Sequence, residues 1–226
     1  MKDSLKDLYP FLNGNPRNAL PKKSALIASI RQKAEDSRAL QERFFTTQAA
    51  ELVAVAEILA GVFRNGGRLF TMGNGGSHCD ASHLAVEFQH PVTAGRPALT
   101  AIDLGADITM MSAVGNDLGF DQVYVRRLIA LANRGDALVG LSASGSSDNL
   151  LLAFDKAKDM GLVTVGLAGM DGGCMAQSDA LDNCLVVPSD SIHRIQECQV
   201  VIYHILWDLV HTLLADTRGG LGNEVC

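Results

Sequence analysis

The sequence predicts an α/β domain built on a five-stranded parallel sheet, and three observations carry that prediction. Five short apolar runs, "RLFTMGN", "ALTAID", "DALVGLSAS", "LVTVGLAG" and "CLVVPS", each stop at Gly, Ser, Asn or Asp. Between them lie helical patterns such as "HCDASHLAVEFQ", "DQVYVRRLIALANRG" and "DNLLLAFDKAKDMG". Strands that alternate with helices build right-handed βαβ units around a parallel sheet. Two of the strand ends also open into Gly- and Ser-rich turns before a helix, which is where ligands sit in such sheets.

Each part of the chain takes its place around that sheet. Residues 1–23 hold Pro10, Pro16 and Pro21 and read as an irregular arm. From Ser24 to about Arg64 the pattern is helical, as two helices or one long bent helix with "FFTTQ" as the break. Leu52, Ala56, Leu59 and Phe63 recur at three- and four-residue spacing and form a stripe for a core or a subunit interface. No internal repeat interrupts the rest, so 24–216 reads as one domain and 217–226 as a tail.

Composition excludes several classes. With 47% hydrophobic and 19% charged residues, the chain has the apolar content of a globular core and is unlike a disordered one. A net charge of −6 without any Lys/Arg run argues against nucleic acid or anionic membrane as partner. No uninterrupted apolar run approaches the ~20 residues of a membrane helix, and the polar N-terminus lacks a signal-peptide core. A cytoplasmic location is expected. The five cysteines are scattered and form no CxxC pair, so neither a disulfide framework nor a thiolate zinc site is indicated.

Three motifs carry chemistry. "TMGNGGSHCD" places Asn74, Gly75, Gly76 and Ser77 between a strand and a helix; it suits an anion at the helix N-terminus or an ordinary capped glycine turn. "LSASGSSDN" gathers Ser142, Ser144, Ser146 and Ser147 at a second helix start, where hydroxyls, free amides and the helix dipole can cradle a phosphate without Lys or Arg. In "HLAVE", His83 and Glu87 share one helical face, and the later "RIQECQVVIYH" brings Gln196 and His204. Two imidazoles, a carboxylate and an amide oxygen suit a divalent metal such as zinc.

"GNGGSHCDASHLAVE", "GND" (Gly115–Asp117), "SASGSS", "DGG" (Asp171–Gly173) and "RIQE" followed by "YH" together resemble the phosphoheptose isomerases, which are SIS (sugar isomerase) domain proteins. The likeness runs from about Leu52 to Leu214. It implies a SIS-domain three-layer sandwich, with helices on both sides of the sheet and an N-terminal helical segment. It implies a zinc ion (Zn2+) held by His83, Glu87, Gln196 and His204, and a sugar phosphate contacted by Asn74, Gly75, Gly76, Asn116, Asp117, Ser142, Ala143, Ser144, Ser147 and Gln196. It also implies a homotetramer with sites at subunit contacts. Gln196 and His204 stand eight residues apart, about 12 Å along a helix, so either the ion lies between them at the limit of both side chains or one of the pair serves a neighbouring subunit's site, and the second is expected.

The chemistry implied is aldose–ketose isomerisation through an enediol, with Glu87 as base and His204 as acid. The expected reaction turns sedoheptulose 7-phosphate into a manno-heptose 7-phosphate, on the way to the heptose of bacterial lipopolysaccharide. Two departures stand out: His193 precedes "RIQE" where the family commonly has Asp, and Ala143 replaces a usual Thr. An isomerase of another sugar phosphate and a non-catalytic SIS adaptor that binds the replication initiator are the alternatives; the adaptor lacks the metal-site residues that this chain retains. His90 reads as an exposed loop histidine, His211 as a surface or interface histidine, Tyr203 and Trp207 as core or interface aromatics, Arg126 and Arg127 as a solvated helix face or salt-bridge partners, and Cys79 as a buried thiol.

Overall fold

The computed structural model describes residues 23–216. The expected arm before Lys23 and the tail after Asp216 lie outside them. Helix α1 (Lys23–Arg64) starts in one compact unit, which ends at Asp36, and continues into a second unit from Ser37 onward. Within the first, Gln32 bonds Asp36 one turn away at 2.8 Å. The second holds β1 (Leu69–Gly73), α2 (Gly76–Gln89), β2 (Ala101–Asp103), α3 (Ile108–Asp117), α4 (Val123–Leu131), β3 (Ala137–Ser142), α5 (Asp148–Met160), β4 (Val163–Gly169), β5 (Asn183–Val187) and α6 (Ile192–Asp216).

All five strands are parallel, in the order β2-β1-β3-β4-β5. β1 and β3 are buried along their whole length because helices cover both faces, which is why they read as unbroken apolar runs. Alternation along the strands divides two cores. Leu69, Val139, Leu141, Val165 and Leu167 join α1, α2 and α6 on one face, and Phe70, Met72 and Leu138 join α3, α4 and α5 on the other. This is the three-layer arrangement that the sequence implies.

The long first helix bends at Gln48 (φ −121°, ψ 16°), the last residue of "FFTTQ". The bend lets the Gln48 side chain act as an extra rung on the outer edge of β5: its amide donates to Val186 O at 2.6 Å and accepts from Val186 N at 3.1 Å. An exposed strand edge is thereby capped. The sequence reading did not include α3; Asp107 starts it, accepting from Met110 N at 2.9 Å as an N-cap. Two helices, α1 and α6, are long and apolar enough by length and mean hydropathy (1.3 and 1.4) to cross a membrane, whereas no such run was expected. The expectation counted unbroken apolar residues, and these helices interleave polar ones; α6 spends its apolar face on the core through Ile195, Ile202, Leu206 and Val210.

Close packing on the α5 face needs glycine in the sheet. Met72, Gly140 and Gly166 lie side by side in register. A Cβ on Gly140 would stand 2.6 Å from the Phe154 ring and 2.9 Å from Met72 Cε. Replacing Gly140 by Ala should therefore lower stability in chemical denaturation by about 1–3 kcal/mol, the usual cost of overpacking. A second test concerns Asp182, which joins β4 to the chain before β5. Burial acts to raise its pKa, but hydrogen bonds from Lys158, Thr164 N and the Thr164 hydroxyl outweigh it and hold the carboxyl below its ordinary value. A depressed carboxyl contributes stability that is present above the unfolded pKa of about 4 and is lost as pH falls through the folded one. Asp182→Asn should cost about 1 kcal/mol at neutral pH, and the gap to the parent should close in acid titrations below about pH 4.

Candidate active site

The chemistry collects at the carboxyl ends of β1 and β3. After β1 the chain turns through Asn74 and Gly75 (φ 55°) into α2, with Ser77 N on Asn74 O at 3.1 Å and His78 N on Gly75 O at 3.1 Å. The turn is tight: a Cβ on Gly73 would stand 2.4 Å from Ser77 O. Buried Tyr124 on α4 donates its hydroxyl to Gly73 O, and burial raises that phenol's pKa to about 12. The Asn74 amide is locked by a reciprocal pair with Asn149 on α5, Nδ2 to Oδ1 at 2.8 Å and the reverse at 2.9 Å. Asn149 is buried. It ties the two loops together, and no motif announced it.

After β3 the serines divide their work. Ser142 Oγ accepts from Gly145 N at 3.1 Å and stands 3.4 Å from Ser147 Oγ. Ser146 turns away and accepts from Cys174 N at 3.2 Å in the "DGG" loop, which comes so close that a Cβ on Gly145 would stand 2.1 Å from Gly172 O. Ser147 occupies the N-cap position of α5, yet its hydroxyl makes no cap bond. A cleft of about 270 Å³ opens here, lined by Asn74, Gly76, Ser77, Leu141, Ser142, Ala143, Ser144, Ser147, Met170, Ile192 and Gln196. Seven of the ten expected substrate residues line it, Gln196 among them, and Gly75 lies in the same turn.

Asn116 and Asp117 are elsewhere. They end α3, exposed, with Asn116 Nδ2 donating to Asp117 Oδ1 at 2.7 Å, and they are not among the cleft residues. His193 is exposed one residue after Ile192, and His90 is an exposed C-cap of α2.

Helices α2 and α6 run side by side in the same direction. Gly76 lies under Gln196, where a Cβ would meet Nε2 at 2.3 Å; His83 meets Tyr203 and His204; and Trp207 Nε1 donates to Glu87 O at 2.9 Å. His83 Nε2 is 3.0 Å from Glu87 Oε1, and the ligand atoms of His83, Glu87 and His204 all lie within 4.8 Å of one another. A single chain thus assembles both imidazoles and the carboxylate, so His204 meets His83 without a second copy. Gln196, two turns earlier, faces the cleft. Burial and then the charge of His83 lower the His204 pKa against the opposing pull of Glu87, which favours a neutral ring with a free lone pair. Two neutral-capable imidazoles and a carboxylate are a donor set that fits a borderline cation such as zinc.

Several residues differ from their sequence reading. Tyr203 is buried, but its hydroxyl is 2.7 Å from His83 Nδ1. Burial, with Asp80 and Glu87, pushes its pKa well above the ordinary tyrosine value. Arg127 is no solvated residue: it donates to Asp103 O and Leu104 O at 3.2 and 2.7 Å. His211 is buried, against Phe88 and Trp207, and Cys79 is exposed. Buried Tyr and Trp need partners for their polar ends; that rule was the available signal for Tyr203 and Trp207.

Comparison with known proteins agrees with this geometry. Residues 34–169 match the SIS domain family. The phosphoheptose isomerase of Solidesulfovibrio magneticus is 43% identical over 197 residues, covering 87% of this chain and 94% of the relative. That of Pelodictyon phaeoclathratiforme is 42% identical over 185 residues, covering 80% and 87%. Among solved structures, the phosphoheptose isomerase of Francisella tularensis superposes with a TM-score of 0.78 at 30% identity, covering 82% of this chain and 98% of the other. The enzyme from Neisseria gonorrhoeae gives 0.77 at 32%, covering 83% and 99%. With a SIS sheet, a serine-lined cleft and a relative of this identity along most of its length, the chain belongs to the phosphoheptose isomerase family of SIS-domain proteins.

Proposed function

We propose that the chain is a zinc-dependent aldose–ketose isomerase that converts sedoheptulose 7-phosphate to D-glycero-D-manno-heptose 7-phosphate. The observation that carries this reading is the placement of two unlike sites along one cleft: the uncapped, serine-rich start of α5, and the His83–Glu87–His204 triad farther along α2 and α6, the helices that bring Gly76 and Gln196 to the cleft. A sugar phosphate is likewise charged at one end and reactive at the other.

Ser142, Ser144 and Ser147 receive the phosphate, with the α5 N-terminus supplying N–H donors and a favourable dipole. Asn74, held by Asn149, together with Gly75, Gly76 and Gln196, orients the hydroxylated chain. His83, Glu87 and His204 would hold the zinc ion, while Gln196, two turns earlier on α6, faces the cleft and serves the substrate. When bound, zinc polarises the carbonyl and stabilises negative charge on oxygen. Glu87 removes the proton from the carbon beside the carbonyl, giving the enediol, and a proton is returned to the former carbonyl carbon. His204 is the acid: its ring N–H would give a proton to the carbonyl oxygen as the enediol forms and recover one from the neighbouring hydroxyl as the new carbonyl forms. Asn116 and Asp117, exposed and outside the cleft, serve the site of a neighbouring copy in a homotetramer.

Metal-stripped protein should have no isomerase activity on sedoheptulose 7-phosphate and regain it with zinc; Glu87→Gln and His204→Ala should each lower kcat by about 10²–10⁴-fold. Turnover that survives metal removal sinks the zinc assignment, and zinc binding without turnover of this substrate points to another sugar phosphate. Gly76→Ala separates the two sites. Its methyl must displace Gln196, so kcat/KM should fall by about 10²-fold, while the triad keeps its zinc in a stoichiometry measurement.

A further inference from the structure

His83 is held from both sides. Glu87 Oε1 stands 3.0 Å from its Nε2, and the Tyr203 hydroxyl stands 2.7 Å from its Nδ1. Tyr203 is fully buried on α6, immediately before His204, and its ring packs against both imidazoles at centroid separations of 5.5 and 4.8 Å. A neutral imidazole carries one N–H, so it can donate on only one side. A carboxylate only accepts. With Glu87 against Nε2, that nitrogen therefore carries the hydrogen, Nδ1 is a bare acceptor, and the Tyr203 O–H must donate to it.

The arrangement has to invert when His83 gives its Nε2 lone pair to a cation. The single ring hydrogen must then sit on Nδ1, and the group beside Nδ1 must accept. A carboxylate or a backbone carbonyl, the usual partners of a metal-bound histidine, would suit only that loaded state. A phenol donates in one state and accepts in the other.

We propose that Tyr203 is a positioning residue for the metal site, reversing its hydrogen bond with His83 as the site fills and so holding the ring in one orientation in both states. The inference rests on the reading of the triad as a zinc site. The hydrogen balance closes: one hydrogen leaves Nε2, one arrives at Nδ1, the ring stays neutral, and the Tyr203 O–H, released from Nδ1, turns toward the Asp80 carboxylate, whose charge acts on the phenol. Because α6 carries both Tyr203 and His204, the same helix that supplies one imidazole to the triad orients the other. This also accounts for a buried hydroxyl in a stretch that otherwise presents Ile202, Leu206 and Val210 to the core.

Zinc affinity, measured by competition with a chromophoric chelator, tests this in the full chain and in Tyr203→Phe, which removes only the hydroxyl. The variant should bind zinc about 10- to 100-fold more weakly, the usual effect of losing such a partner. In the parent protein, the ¹⁵N shifts of the His83 ring should show the hydrogen on Nε2 without zinc and on Nδ1 with it. This second readout needs no variant and decides the matter even if Tyr203→Phe fails to fold. Parent and variant affinities that agree, or a ring hydrogen on the same nitrogen in both states, overturn the role of Tyr203 while leaving the zinc site intact. A parent protein that takes up no zinc overturns the zinc reading and this inference with it.

Discussion

The site depends on one contact: α2 and α6 lie alongside each other in the same direction, close enough that Gln196 rests where a side chain on Gly76 would be. Once that approach is fixed at one end, eleven residues along each helix the indole of Trp207 reaches the carbonyl of Glu87, and between the two contacts His83 meets Tyr203 and His204. Helical rise then spaces a polar cleft and a cluster of cation-binding groups along one seam. Glycine at position 76 is thus a packing requirement, whereas the positive φ of the turn falls on Gly75.

The sheet contributes direction. Parallel neighbours β1 and β3 deliver their carboxyl ends to the same edge, so the Asn74 turn and the serine turn face each other across the cleft. Their relative position is not left to loop flexibility. The Asn74–Asn149 amide pair joins them, the Tyr124 hydroxyl holds Gly73 O, and the "DGG" loop presses on Gly145 and takes Ser146 out of the cleft. Each bond satisfies a polar group that burial would otherwise penalise. The arrangement that completes the core's hydrogen bonding therefore also shapes the site.

Aromatic residues with polar ends do much of this positioning. Tyr124, Tyr203 and Trp207 bury their rings in the two cores and spend one polar atom each on Gly73 O, His83 Nδ1 and Glu87 O. Glu87 lies in the last turn of α2, where carbonyls lack intrahelical partners, and the indole supplies one. Arg96 lies over that indole, 4.6 Å from its centre, and pairs with Asp208, so the segment after α2 is fastened back onto α6.

The sequence by itself determined the sheet, its parallel sense, the two loaded strand ends and the kink near Gln48, because periodicity and turn residues are local signals. It also named every member of the triad, since His83 and Glu87 share a helical face within a single turn. It passed over α3, and it misjudged His211, Cys79 and Arg127, whose surroundings are set by segments distant in sequence. Only the tertiary structure decided how the eight residues between Gln196 and His204 are used: the first faces the cleft and the second faces the triad, because a parallel partner helix advances in step with them. The same holds for Tyr203 and Asn149. A buried hydroxyl or amide must find a partner, but which partner depends on which helices the sheet brings together.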